Sequence, residues 1–437
     1  MSINNMVMSC FRRLGVENGV VTTSRNEEAL LRFSNDRMTV ADLVEMTTVS
    51  IFIRENGRKA ATTIAAGDPD KAVEATETLV SGLRRHAGGE DTPLPQGPFR
   101  YRDSKAVPAP MDFDSMAEIV AQAVDSARES GASRSAGSMR VANDHVSLST
   151  TAGAEAETVL PQVELSMRSF SDEGSSGHGL SVGAAMEDID PAAVGREAGG
   201  YAYRSRSTVP IEPGIYDAVL APMVLADIVS QVGSMASAFY VDMGMSFLQG
   251  RVGEQVAAPL LSLTDDPTKD GTIGQRLFDD EGVPVRSNHI LKDGVLDGYL
   301  HNSTTALAHG VSTTANAGLI SPHPFNLIIG KGKGDMEALA TEMGDGLVVT
   351  NVWYLRYQNH ATGEFSVIPR DAVFKVEDGS VQGAVGGLRI SDSIPSLLRN
   401  IESLGDDRRW VRWWEVDTPT LSPSALVRGV RFTRSTL

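Results

Sequence analysis

Hydrophobic and polar positions alternate along the first two hundred residues in a way that predicts both strands and helices. Residues 49–64 are the clearest hairpin, because two β-like runs flank Asn56-Gly57, a pair that tolerates the positive φ of a tight turn. Asp68 and Pro69 mark the start of a helix that follows. Ser115 and Glu118 have the spacing of a capping box and predict the start of another helix with one apolar face.

Other segments of this half are shorter or less regular. Further strands are predicted at residues 20–23, 29–33, 141–150 and 158–170. Residues 132–140 are mostly small and polar, and residues 171–179, rich in Ser and Gly, predict a flexible loop without the Lys-Ser/Thr ending of a phosphate-binding loop. A helix is predicted at residues 191–203, so this half combines helices with hairpins.

From about residue 205 the pattern changes to strand-like runs separated by Asp-Gly turns. Residues 283–300 and 372–385 predict hairpins around Asp293-Gly294 and Asp378-Gly379. Helices are predicted only locally, at residues 222–239, 335–343 and 395–404. The expected fold class is therefore α+β, with an N-terminal α/β-like domain at residues 1–204 followed by a β-rich C-terminal domain at residues 205–437.

Composition and charge narrow the function classes. The chain has 437 residues with 39 Lys and Arg against 56 Asp and Glu, a formal net charge of −17, which argues against direct binding to nucleic acid or to an anionic membrane. Its one cysteine, Cys10, excludes an intrachain disulfide and favours a reducing compartment. Residues 1–13 lack a signal-peptide pattern, and no long apolar run predicts a membrane helix. We therefore expect a cytoplasmic protein.

The residues themselves indicate no catalytic constellation. A metal cluster drawn from His289, His301, His309 and His323 is an open alternative, although no two histidines have the spacing of a helical zinc motif. The acidic residues between 265 and 282 lack the spacing of an EF-hand and are interpreted as solvated turns.

Four segments carry a family resemblance. They are F-D-D-E-G-V-P-V-R at 278–286, L-D-G-Y-L-H-N at 296–302, T-A-N-A-G at 314–318 and E-M-G-D-G-L-V-V-T at 342–350. Together they resemble the TldD/PmbA family, most strongly in the second half of the chain. The resemblance implies a β-rich C-terminal domain of the TldD/PmbA type.

That family contains two kinds of subunit. In the TldD kind, the two histidines of an H-E-x-x-x-H helix and a C-terminal cysteine bind zinc, and the glutamate activates the water. In this chain Ala226, Asp227 and Gln231 occupy the three motif positions, and residues 411–415 contain no cysteine. The chain thus resembles the PmbA (TldE) kind, which implies no catalytic residue, no metal ligand and no cofactor on this chain, with zinc expected on a partner subunit.

The resemblance also implies partners. A PmbA-like chain pairs with a TldD-like zinc-bearing subunit, and the heterodimer degrades or processes unfolded peptides. A homodimer is possible, and direct binding to nucleic acid or a membrane is not expected. The alternative is a stand-alone peptide-binding or regulatory protein, similar to the members named modulators of DNA gyrase, without a proteolytic role. A self-sufficient hydrolase that uses the histidine quartet is a third hypothesis.

One segment departs from the family pattern. Residues 353–360, W-Y-L-R-Y-Q-N-H, replace a loop rich in Gly and Ser. Its aromatic side chains predict a surface that contacts the peptide or the partner, and the predicted contact residues are Tyr354, Tyr357, His360, His301 and Asn302. The other interpretation is a strand end with ordinary core aromatics.

Overall fold

The computed structural model describes residues 2–65, 68–85, 88–89, 91–171 and 175–435. The N-terminal half contains six strands and four α-helices within that range, in the order α1 Ile3–Leu14, β1 Asn18–Ser34, β2 Arg37–Glu55, β3 Arg58–Ala65, α2 Pro69–Arg84, α3 Phe113–Glu129, β4 Arg134–Thr150, β5 Glu155–Phe170, β6 Ser176–Gly183 and α4 Pro191–Arg204. A short 3₁₀ turn at Met186–Asp188 precedes α4.

These six strands form one antiparallel sheet with the order β3-β2-β1-β4-β5-β6. Helices α1 to α4 pack on one of its faces, because Val21, Ala29 and Leu31 of β1 lie in the clusters that contain these helices. Alternate residues of the same strand point to the opposite face. Val20 accordingly lies in a cluster with Phe278, so that face packs against the C-terminal half.

The C-terminal half contains most of the strands. Its elements are β7 Gly214–Leu220, α5 Pro222–Met235, α6 Ala238–Asp242, β8 Leu263–Asp265, β9 Asn288–Lys292, β10 Val295–Leu296, α7 Ser303–His309, β11 Leu327–Ile329, α8 Met336–Met343, β12 Gly346–Val349, β13 Val352–Asn359, β14 Glu364–Pro369, β15 Val373–Glu377, β16 Ser380–Ala384, β17 Leu388–Ser393, α9 Ile394–Arg399, β18 Ile401–Leu404, β19 Arg409–Trp413, β20 Val416–Ser422 and β21 Ala425–Arg434.

Two sheets share this half. One has six strands in the order β10-β9-β8-β11-β20-β19, and the other has nine, with the path β13-β14-β17-β21-β7-β12-β15-β16 and β18 paired to β21. The largest core cluster joins side chains of both sheets to helix α5, and 12 of the 14 residues of α5 are buried. Helix α5 therefore lies at the centre of the C-terminal half. The predicted boundary between residues 204 and 205 stays a prediction, although no described strand pair crosses it.

A buried ion pair links the two halves. Arg54 at the end of β2 contacts Glu281 at 3.1 Å, and both side chains are almost fully buried. Glu281 also accepts hydrogen bonds from the backbone N–H and the hydroxyl of Ser303, at the start of α7. Tyr101 donates its hydroxyl to the Gly282 carbonyl at 2.7 Å.

Among the described residues, no helix combines the length and apolar character that a membrane crossing requires.

The tight turns and the start of helix α2 lie where the sequence predicts them. The hairpin around Asn56-Gly57 is confirmed, with φ of 54° and 67° at the two turn residues. The turns at Asp293-Gly294 and Asp378-Gly379 are also confirmed, and both aspartates have positive φ. Asp68 caps α2 as predicted, and its carboxylate accepts the backbone N–H of Asp70.

The strands of the N-terminal sheet are longer than the sequence pattern predicts. The prediction of two short strands within residues 18–33 is wrong, because β1 is one strand of 17 residues. It pairs with β2 and β4 along nearly its whole length, and these two ladders hold its polar middle in the sheet. The small, polar residues 134–140 likewise belong to β4.

The loop predicted at residues 171–179 is wrong for its second part, where β6 begins at Ser176; residues 172–174 lie outside the described residues. Gly177 and Gly179 of β6 face α4, and a Cβ at either would lie 2.3 Å from a carbonyl oxygen of that helix. These glycines therefore permit close packing of α4 on the sheet.

Three helix predictions need correction. The helix predicted at residues 222–239 is two helices, α5 and α6, separated at Ser237, whose hydroxyl donates to the Pro322 carbonyl. The helix predicted at residues 395–404 ends at Arg399, and Ile401–Leu404 pairs with β21 as a strand. Helix α3 begins two residues before the predicted capping box, because Asp112 is its N-cap and accepts the Ser115 N–H.

The interpretation of the acidic residues at 265–282 as solvated turns is wrong for three of them. Asp265 and Asp279 are fully buried and accept backbone N–H groups, among them those of Phe325 and Ala317. Burial raises the pKa of Asp265 to about 6 and that of Asp279 to about 8. Together with Glu281, they fix loops of the C-terminal half from the inside.

Candidate functional site

Helix α5 carries a buried ionisable group without a hydrogen-bond partner in the described part of the chain. Asp227, in its middle, is 0% exposed, and neither carboxylate oxygen has a hydrogen-bond partner among the described residues. Burial raises its pKa well above the ordinary value, the charge of Glu415 raises it further, and Arg356 opposes the shift. A carboxyl in this environment favours its neutral, protonated form. Unpartnered buried polar groups are rare in natural proteins and often have a functional reason.

The structure brings Ala226 together with the region where the cysteine ligand of the zinc-bearing subunits would lie. Ala226 is fully buried in a cluster that contains Val411, Trp413 and Val416. The side chains at these positions are hydrocarbon or indole, and neither type ligates zinc. Gln231, one turn further along α5, offers only a neutral amide. Of the three motif positions only Asp227 offers a carboxyl and none offers an imidazole, so this donor set does not fit a zinc ion.

Tyr357 carries another unpartnered polar group in this region. Its hydroxyl is buried without a hydrogen-bond partner in the described part of the chain, and its ring stacks on His360 with centroids 4.4 Å apart. Burial raises the pKa of this phenol, and the charge of Asp227 contributes in the same direction. A phenol and a carboxyl thus lie near each other at the edge of the central core, each without a direct partner.

Four residues form an aromatic cluster next to this pair, namely Trp353, Tyr354, Trp413 and Trp414. Trp353 lies 5.1 Å from Trp414 and 6.1 Å from Trp413, ring centroid to ring centroid. Two guanidinium groups, of Arg168 and Arg370, lie 4.7 and 4.5 Å from the Trp353 ring centroid. The cluster has an outer face, because Trp414 is 52% exposed and Tyr354 is 41% exposed.

The backbone at Tyr354 is strained in a way that presents its side chain outward. Its φ is +60°, unusual for an aromatic residue, and the β13–β14 register shifts between Trp353 and Arg356. The Tyr354 N–H donates to Glu415 Oε1 at 2.8 Å, which fixes this bulge against the 411–415 segment. Sequence reasoning singled out residues 353–360 but missed their contact with Trp413 and Trp414.

Of the predicted contact residues, His301 and Asn302 lie elsewhere and are buried. Asn302 caps α7, and its Oδ1 accepts the Thr305 N–H at 3.0 Å. The ring of His301 lies 5.0 Å from that of His309, and burial lowers the pKa of His301 to about 4. Their burial gives no support to a contact with a peptide or a partner, and that role stays an untested prediction.

The histidine quartet does not gather into one site. His309 hydrogen-bonds Asp242 at 2.7 Å, His289 bonds Thr264, and the His323 ring lies against Phe325. Across residues 2–435, apart from the segments that are not described, no three His, Cys, Asp or Glu side chains have a metal-binding arrangement. The self-sufficient hydrolase hypothesis therefore gains no structural support.

A Ser–His pair beside the aromatic cluster, formed by Ser166 and the buried His178, has its hydrogen bond in the wrong direction for a serine nucleophile. Asn351 Nδ2 donates to His178 Nδ1 and to Asp371 Oδ2, both at 3.0 Å, while its Oδ1 accepts the Val352 N–H. His178 Nδ1 is thus the acceptor, and Nε2–H must donate to Ser166 Oγ at 2.9 Å. A serine nucleophile needs the opposite direction, with the imidazole accepting the hydroxyl proton.

The C-terminal half of the chain matches a known protein family. The model of the PmbA/TldA metallopeptidase C-terminal domain matches residues 213–434, just over half of the chain. The chain belongs to this family. The matched range contains α5, the aromatic cluster and both C-terminal sheets.

Relatives in this PmbA/TldD family include proteins of both kinds. The chain is 28% identical over 284 residues to a metalloprotease TldD homologue of Haemophilus influenzae, which is 60% of this chain and 58% of that protein. It is 30% identical over 238 residues to the metalloprotease PmbA of Escherichia coli O157:H7, which is 53% of this chain and 50% of that protein. The chain thus spans little more than half the length of these relatives.

Solved structures agree over the whole length. A Thermotoga maritima protein described as a modulator of a DNA gyrase superposes with a TM-score of 0.85 and 24% identity, covering 99% of both chains. TldE from Thermococcus kodakarensis gives a TM-score of 0.86 and 19% identity, covering 98% of this chain and 100% of that one. At these identities the matches establish the fold, and the predicted α+β class is confirmed.

Proposed function

We propose that this chain is the subunit without zinc of a two-subunit metallopeptidase that processes unfolded peptides. One observation carries the proposal: the three zinc-motif positions hold Ala226, Asp227 and Gln231, and the segment expected to provide the cysteine packs apolar side chains against Ala226. Zinc-dependent hydrolysis of a peptide bond needs at least three protein ligands to the metal and an ionised base. A carboxyl held neutral by burial cannot activate water.

The partner in this proposal is a TldD-like chain with an intact H-E-x-x-x-H helix. Membership of the metallopeptidase family supports this assignment, and so does the likeness in fold to a protein named TldE. The aromatic cluster is the surface that we assign to the partner or to the bound peptide, because Trp414 and Tyr354 expose large rings and Trp414 packs on the buried Trp413. Exposed aromatic residues are enriched at protein interfaces.

The experiment is co-expression of this chain with a relative that carries H-E-x-x-x-H, followed by native mass spectrometry, zinc analysis and a peptide-cleavage assay. We expect a one-to-one complex with one zinc ion, and cleavage of an unstructured fluorogenic peptide by the complex alone. As the control, the partner with its motif glutamate changed to glutamine should assemble normally and cleave nothing.

Two results would contradict the proposal. One is a homodimer of this chain that excludes the zinc-bearing relative, which would favour a stand-alone peptide-binding or regulatory protein. The other is peptide cleavage by this chain alone, with zinc bound in stoichiometric amount.

A further inference from the structure

A polar cavity lies between the two halves of the chain, on the face of the N-terminal sheet opposite helices α1 to α4. Its volume is about 510 Å³, within the usual range of small-molecule sites. The sheet contributes Thr22 and Gln162, and the C-terminal half contributes Arg276, His323 and Arg412 to the opposite wall.

Most charged groups of this cavity already have partners. Asp144 accepts the hydroxyl of Ser24. Asp280 pairs with Arg276 at 3.2 Å, and the Arg276 guanidinium also lies 4.2 Å from the ring centroid of Phe325. These groups therefore have little unused capacity for a ligand.

Arg412 differs from the other charged groups of this cavity in having no such partner. It lines the cavity from β19 and is partly buried, yet no hydrogen bond and no ion pair joins its guanidinium to any other residue that the structure describes. Burial lowers its pKa, and the charge of Arg140 lowers it further, against weaker opposing effects of Glu164 and Asp417. Arg140 itself donates to Glu28 at 2.7 Å. The guanidinium of Arg412 thus lacks a counter-ion in contact, although five N–H groups are available to bind one.

We propose that Arg412 binds the carboxylate of a ligand in this cavity, either the C-terminus of a short peptide or a small free carboxylic acid. The planar guanidinium matches a carboxylate with two parallel hydrogen bonds. A doubly charged phosphate fits less well, because Glu164 and Asp417 would repel it. Gln162 and Thr22 on the facing sheet supply neutral hydrogen-bonding groups for the rest of the ligand. This site is separate from Asp227 and needs no partner subunit.

Isothermal titration calorimetry on the full chain tests the proposal with three probes: trialanine, trialanine amide and acetate. We expect trialanine to bind the wild type, and Arg412→Gln to weaken binding by about 10- to 100-fold, the effect of losing a charge-assisted pair. Arg399→Gln, an exposed arginine at the end of α9, is the matched control and should bind normally.

The probes distinguish the two sources of the carboxylate. Binding of trialanine but not of its amide or of acetate assigns the site to peptide C-termini, and comparable binding of acetate assigns it to small acids. Circular dichroism checks that Arg412→Gln folds. If it does not, Arg412→Lys replaces it as the test, because lysine keeps the positive charge but cannot form two parallel hydrogen bonds, and it should weaken binding less severely. Absence of binding by every probe, or unchanged binding by both Arg412 variants, overturns the proposal.

Discussion

Replacing Asp227 by alanine should leave the protein as stable as the wild type or make it more stable, although the residue is completely buried. A buried polar group without a partner destabilises the folded state by about 1–3 kcal/mol, and alanine removes it. The vacated space is on the order of 30 Å³, which costs roughly 0.7 kcal/mol. The net expectation is a gain of up to about 2 kcal/mol in the free energy of unfolding.

The pH dependence provides a sharper test. In the folded state the pKa of Asp227 is raised, so the folded protein keeps a proton that the unfolded chain releases above roughly pH 4. The contribution of Asp227 to wild-type stability therefore falls as the pH rises from about 4 towards the raised pKa, by up to about 1.4 kcal/mol per pH unit. Asp227→Ala lacks this dependence, so its advantage over the wild type should grow between pH 5 and pH 8.

Urea unfolding followed by tryptophan fluorescence at pH 5 and pH 8 measures both effects. Ser230→Ala is the matched control, because Ser230 is also buried on α5 but does not ionise in this range. A variant that is more than about 2 kcal/mol less stable than the wild type, with the same difference at both pH values, would refute the reasoning. That result would mean that the carboxyl is ionised and paired in the folded state.

Three further predictions follow from the packing. Arg54→Ala should lower the free energy of unfolding by about 3–5 kcal/mol because it leaves the buried Glu281 carboxyl without its cationic partner, and Arg54→Met/Glu281→Leu should recover most of the loss. The control Arg251→Ala, which breaks a solvent-accessible pair with Glu254, should cost less than about 1 kcal/mol. Gly199→Ala should destabilise by about 1–3 kcal/mol, since its Cβ would lie 2.4 Å from the Ala127 carbonyl oxygen, whereas a Cβ at neighbouring Gly200 meets nothing within 4 Å and Gly200→Ala should stabilise by about 0.5–1 kcal/mol in chemical denaturation. Tyr354→Ala and Trp414→Ala should change thermal stability little but weaken assembly or peptide cleavage by the co-expressed complex at least about tenfold. Leu307→Ala, which alters a more exposed side chain outside the cluster, should weaken neither, and unchanged assembly and cleavage in the aromatic variants would contradict the role assigned to the cluster.

The sequence predicted only part of the candidate site. The family motif identified Ala226, Asp227 and Gln231, and the unusual composition of residues 353–360 singled out the aromatic segment. No sequence signal indicated that Trp413 and Trp414 complete the same cluster, since about sixty residues separate the two segments. The region 411–415 was noted only for its lack of cysteine.

Local chemistry determined what the sequence could predict by itself. Asn56-Gly57 and Asp378-Gly379 specify tight turns because their backbone tolerates positive φ, and Asp68 specifies a helix start because its carboxylate reaches a free N–H within two residues. Tertiary structure decided the rest. Residues 24–28 are strand because two neighbouring strands pair with them. Asp279 accepts the N–H of Ala317, 38 residues further along the chain, and the pKa of Asp227 is raised because two sheets exclude water from α5. Each of these depends on groups far away along the chain, and no local pattern contains them.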